Sequence, residues 1–147
     1  MRGVTGIHRE IGQTLDMLHL NRNCQATLID NKSSNLGMLR KAKDQLTWGE
    51  ASKETIASLL KERGRLVGNK KINDEYAKGI GYESLDKLAE TIYKLEIEYS
   101  RLPNIKPIFR LRPPKKGYGG KVKRSYTTSG VTGYRGEAIN DLIRKMI

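Results

Sequence analysis

Ten Lys and Arg side chains fall within residues 101–135 and no carboxylate does, so this stretch supplies +10 of the chain's formal net charge of +12. Cations at that density neutralise a polyanion, and nucleic acid heads the list of polyanions. A solvated helix face also collects charge, but it mixes signs and avoids helix breakers. Here all four prolines of the chain, Pro103, Pro107, Pro113 and Pro114, lie in the run, followed by Gly117, Gly119, Gly120, Gly130, Gly133 and Gly136. Such backbone is not mostly helical. Residues 110–126 therefore read as an extended basic arm. In it Arg110, Arg112, Lys115, Lys116, Lys121, Lys123 and Arg124 would meet phosphates, glycine would let the backbone come close, and Tyr118 and Tyr126 would offer faces to a base or ribose. A disordered tail or an anchor on anionic lipid would use a similar cluster, but no acyl site or amphipathic helix stands beside it.

Other chemistries fail for want of partners. His8 and His19 are the only histidines, Cys24 is the only cysteine, and neither CxxC nor HExxH occurs, so no zinc set is formed. Asp74-Glu75 reads as part of a charged loop and Glu96 with Glu98 as part of a helix, both solvated. Gly117-Tyr118-Gly119-Gly120 is glycine-rich but lacks the Lys-Ser/Thr of a phosphate loop. The residues specify no reaction, no metal and no cofactor, and the expectation is a protein that is not an enzyme.

The elements that must hold the arm are legible from periodicity. Ile11, Leu15 and Leu18 make a helix over about 9–20, and residues 24–29 have strand character closed by the turn residues from Asp30 to Ser34. Ser33 or Ser34 would cap the next helix, with Leu36, Leu39, Ala42 and Leu46 inward and Arg40, Lys41 and Lys43 outward. Residues 46–50 would give a short strand. Ser52 caps a helix with Ile56, Leu59 and Leu60 that Gly64 ends, and Ser84 caps another running through Leu95. Residues 105–111 suit an edge strand, and Ala138, Ile139, Leu142, Ile143 and Met146 a terminal helix that packs back, so the arm is tethered at both ends.

With 147 residues, 37% of them hydrophobic and 30% charged, the chain holds one modest core plus an extension. The lone thiol fits a reducing compartment, no apolar run reaches the ~20 residues that span a bilayer, and residues 1–6 lack a signal-peptide stretch. A cytoplasmic protein is expected, with no membrane contact.

Four blocks in one order carry a family resemblance: Gln13-Thr14-Leu15-Asp16-Met17-Leu18-His19-Leu20-Asn21-Arg22, Ala26-Thr27-Leu28-Ile29, Leu36-Gly37-Met38-Leu39-Arg40-Lys41-Ala42-Lys43-Asp44, and Thr47-Trp48-Gly49-Glu50. With Phe109-Arg110-Leu111-Arg112-Pro113-Pro114 and the closing Gly136-Glu137-Ala138-Ile139-Asn140-Asp141-Leu142-Ile143, the chain resembles family thirty of the universal large-subunit ribosomal proteins, archaeal type and long form. The resemblance implies an α/β (α+β) fold: a small ferredoxin-like βαβαβ core with an antiparallel sheet over 1–51, a helical extension over 52–100, and over 101–147 the basic arm and a terminal helix packing on the core. It implies a structural constituent of the large subunit that binds large rRNA and 5S rRNA beside neighbouring ribosomal proteins, without a cofactor. The carried-over contacts are Lys32, Ser33, Ser34 and Asn35 at a helix start, where free N–H groups suit phosphate, Arg40 and Lys43 along that helix, and the arm. Family members begin with an apolar strand before an Arg-Gly pair, whereas only Met1 precedes Arg2-Gly3. Either the sheet lacks that strand or the chain starts earlier. The alternative to a ribosomal role is a free-standing basic nucleic-acid-binding regulator, which would remain off the large subunit.

Overall fold

A computed structural model describes residues 6–147. The expected first strand falls ahead of these, outside the described residues. In chain order the elements are α1 (Arg9–Met17), β1 (Gln25–Ala26), α2 (Ser33–Lys41), β2 (Thr47–Trp48), α3 (Lys53–Arg63), α4 (Asp74–Gly79), α5 (Leu85–Tyr93), β3 (Phe109–Arg110), β4 (Lys121–Ser125), β5 (Gly130–Tyr134) and α6 (Ile139–Met146). The mixed helix and sheet architecture is the one expected. Its strands fall into two small sheets, β1 with β3 and, separately, β2, β5 and β4 in that order.

Among the strands of the described residues β1 and β3 pair antiparallel, with Gln25 opposite Arg110 and Ala26 opposite Phe109. β2 and β5 run parallel, Thr47 opposite Gly133, which is possible because the whole helical middle of the chain separates them. β4 flanks β5 on its other side, also in the same sense, with Lys121 opposite Gly130, Ser125 opposite Thr132 and a register break between.

The local signals explain most helix ends. Ser52 Oγ accepts the Thr55 N–H and Ser84 Oγ the Lys87 N–H, as their sequence positions require. The second helix departs from expectation: its N-cap is Lys32, in extended conformation, and neither Ser33 nor Ser34 caps it with a side chain. Asp74-Glu75 is not in a loop but in the first turn of α4, where acidic side chains suit the helix dipole, and Asp74 Oδ1 accepts the Leu85 N–H that opens α5. α5 stops at Tyr93, so Leu95 lies beyond it at φ 60°, exposed, and Glu96 and Glu98 are outside the helix.

Two apolar clusters result. Leu15, Leu18, Leu39, Ala42 and Leu46 join α1 to α2. The larger cluster gathers Ile56, Leu59, Leu60, Leu88, Ile92, Leu142 and Ile143 from α3, α5 and α6. Each leucine fully buried there contributes roughly 1.5–3 kcal/mol. An apolar groove of about 630 Å³ runs between the clusters, with Leu18, Leu28, Leu39, Ile92 and Ile143 among its walls. Phe109, completely buried, stacks on Tyr99 with ring centroids 4.8 Å apart and so fixes β3, the start of the arm.

Beyond β3 the backbone is tied down again. The Leu111 N–H donates to the Cys24 carbonyl (2.8 Å), Arg112 N–H to Met146 (2.8 Å) and Lys115 N–H to Lys145 (3.1 Å). The last two satisfy carbonyls that the end of α6 leaves without helical partners. At its far end the arm joins β4 and, through β5, the sheet holding β2.

Candidate nucleic-acid interface

The cations of 110–126 stand together in a stretch that holds no carboxylate. Elsewhere several Lys find carboxylates, as does Arg144: Lys41 with Glu10, Lys53 and Lys94 with Glu90, Lys61 with Asp86, Arg144 with Glu54. Within the run itself Arg101 pairs with Glu98 at 2.8 Å and Lys106 Nζ donates to Asn69. Among the described residues Arg110, Arg112, Lys115, Lys116, Lys121, Lys123 and Arg124 make no ion pair, and all seven are exposed. A row of like charges without counterions stores repulsion that only an external anion relieves.

β4 carries three of them on a strand whose five residues are all exposed. Charged edge strands also discourage sheet-to-sheet association, and that is the simplest structural account of them. It does not account for Arg110, Arg112, Lys115 and Lys116, which precede the edge. The strand is held by close approach: a Cβ on Gly130 would lie 1.9 Å from the Arg124 carbonyl oxygen. Thr132 Oγ1 donates to that same oxygen at 3.0 Å, so the Arg124 backbone is pinned while its side chain projects into solvent.

The two tyrosines expected to stack differ from one another. Tyr118 is half-buried, its hydroxyl 3.8 Å from Cys24 Sγ, and burial above all pushes its phenol up to about 12. It acts as a strut between arm and β1. Tyr126 remains exposed, opening a 3-10 turn (Tyr126–Thr128), and the Arg135 guanidinium lies over its ring, 4.4 Å from the centroid. Trp48 is half-buried against the smaller cluster, with Tyr134 6.3 Å away between ring centroids.

The second group of expected contacts, at the start of α2, is already occupied. Lys32 Nζ is held between Asp30 and Glu98, and these hydrogen bonds lower the Asp30 carboxyl and raise the Lys32 ammonium from their ordinary values. Asn35 Nδ2 donates to the Asp30 carbonyl (3.1 Å) and to its Oδ1 (3.0 Å). Ser33 and Ser34 are exposed, and Arg40 and Lys43 project into solvent without an ion pair. The arm is thus uncompensated and the helix start compensated. Sequence reading missed the Lys32–Glu98 clamp and the role of Arg135, because residues 66 and nine positions apart carry no local signature of contact.

Comparison with known proteins gives a consistent set of relatives. Residues 1–46 match the family described as ribosomal protein L30p/L7e. The chain is similar along its whole length to proteins named large ribosomal subunit protein uL30. It is 46% identical to that of Methanopyrus kandleri over all of both chains. Identity is 48% with the Methanosphaera stadtmanae protein and 43% with that of Nanoarchaeum equitans, over all of this chain and 96% and 95% of the relatives.

Proposed function

The chain belongs to the ribosomal protein L30p/L7e family, a structural, non-enzymatic component of the large ribosomal subunit in the cytoplasm, and we propose that residues 110–126 are its principal grip on ribosomal RNA. The observation that carries this reading is the absence of any carboxylate partner, among the described residues, for seven exposed cations that follow one another within residues 110–124, a stretch that itself holds no carboxylate. Phosphates supply the missing counterions, and release of condensed salt ions from RNA adds favourable entropy. Arg40 and Lys43 form a secondary contact along α2. Lys32 and Asn35 hold the helix start through Asp30 and Glu98, and the exposed Ser33 and Ser34 lie beside the N–H groups that this start offers to a phosphate. Neighbouring ribosomal proteins complete the surroundings.

In this reading 1–51 is the compact unit that sets α2, 52–100 the helical extension, and 101–147 the arm with its returning helix. Large rRNA is the main partner, and 5S rRNA is the second RNA we assign to it, on the strength of the family resemblance.

Sedimentation tests the proposal. Full-length protein mixed with large subunits depleted of it should travel with them at physiological salt. A variant with Lys115, Lys116, Lys121, Lys123 and Arg124 changed to Gln should remain largely at the top of the gradient. Undiminished incorporation of that variant would remove the arm from its central place.

A further inference from the structure

We propose that Tyr126 and Arg135 form a preformed stacking site for one unpaired nucleotide, placed at the end of basic strand β4. The proposal rests on the reading of 110–126 as an RNA contact and adds what kind of RNA that end of the arm recognises.

The site is built before any ligand arrives. Arg135 Nη2 donates to the Val131 carbonyl at 2.9 Å and Nε to Thr47 Oγ1 at 3.4 Å, while Thr47 Oγ1 itself donates to the Gly133 carbonyl at 2.8 Å. Those two contacts fix the guanidinium plane over Tyr126 and leave other N–H donors of the five unused. The ring is seated by its own turn: Thr128 Oγ1 donates to the Ser125 carbonyl at 3.1 Å, Ser125 and Thr127 share a hydroxyl hydrogen bond, and Ser129 at φ 58° closes the turn into β5. A tyrosine so held loses little freedom on binding.

A cation on an aromatic ring is often only a structural staple, and a staple would favour a covered ring. Tyr126 is instead 39% exposed, with Arg135 on one side of it. Every base has a π-face, and an aromatic ring with an open face stacks on it whatever the sequence. In a duplex those faces are occupied by neighbouring bases and the A-form major groove hides the edges, so only an unstacked base can enter. Lys123 and Arg124, exposed immediately before the ring, lie where the phosphates flanking that nucleotide would pass. Tyr118, tied to Cys24, has no such freedom.

The test uses full-length protein and two RNA probes of equal length, a hairpin with an unpaired purine loop and a fully paired duplex. Wild type should prefer the hairpin. Tyr126→Leu should lose about tenfold in affinity for the hairpin, a usual size for one stacked base. It should lose nothing for the duplex and keep the same salt dependence, and Tyr126→Phe should behave as wild type. A 2-aminopurine in the hairpin loop should be quenched when wild type binds, which reports stacking even if the leucine variant melts at a lower temperature. Equal affinity of Tyr126→Leu and wild type for the hairpin, equal losses on both probes, or an unquenched 2-aminopurine would overturn the proposal. Failure of the underlying reading looks different: Lys123→Gln with Arg124→Gln would then leave affinity for both probes unchanged.

Discussion

Tyr118 and Cys24 lie 94 positions apart and meet at 3.8 Å, which gives the arm an internal fastening at its glycine-rich middle. The consequence is a titration with a definite sign. Folding raises the Tyr118 phenol from an ordinary value of 10 to about 12, chiefly by burial. The folded state therefore holds a proton that the unfolded state releases first, so this group's contribution to stability is intact below pH about 10 and disappears as pH rises toward 12. Subtracting the ultraviolet phenolate titration of Tyr118→Phe from that of wild type should leave a curve with its midpoint near 12. A midpoint near 10 would place the ring in open solvent, free to stack. At this scale the sequence was informative about charge and poor about partnership. Ten uncancelled cations can be counted along a chain, but which of them are later engaged by Glu98, Asn69 or Tyr126 depends on folding.

The elements show the same division between local and distant causes. Ser52 and Ser84 announce their helices because a cap acts within three residues, and both make the expected bond. α4 went unread because six residues, half of them charged, display no apolar period. Strand pairing was the least legible, since β2 meets β5 across 86 positions and the choice of parallel partner lies in tertiary packing. One residue governs the arm's far end. Gly130→Ala would drive a Cβ into the Arg124 carbonyl, a backbone atom that cannot rotate away, so β4 must leave β5. The cost is limited to about 1–3 kcal/mol, typical of overpacking, because an exposed edge strand can detach alone. Amide exchange across 121–125 should accelerate, while α3 and α5 keep their protection. Unchanged exchange in 121–125 would mean that β4 is not seated as described.

Across the whole molecule, charge is separated rather than spread. The helices carry mixed signs and bind some of their cations to neighbouring carboxylates, and these exposed pairs add little stability each. The arm keeps its charge for something outside the chain, and its backbone is fastened at both ends so that the cations present a defined path. The direct measurement of this claim is the salt dependence of RNA affinity for wild type and for the variant with Lys115, Lys116, Lys121, Lys123 and Arg124 changed to Gln. Each cation that meets a phosphate adds ~0.7–0.9 to the magnitude of the slope of log K against log salt, so the five substitutions should reduce it by about 3.5–4.5 while the helical circular-dichroism signal stays constant. A slope that is flat in wild type, or equally steep in the variant, would contradict the account.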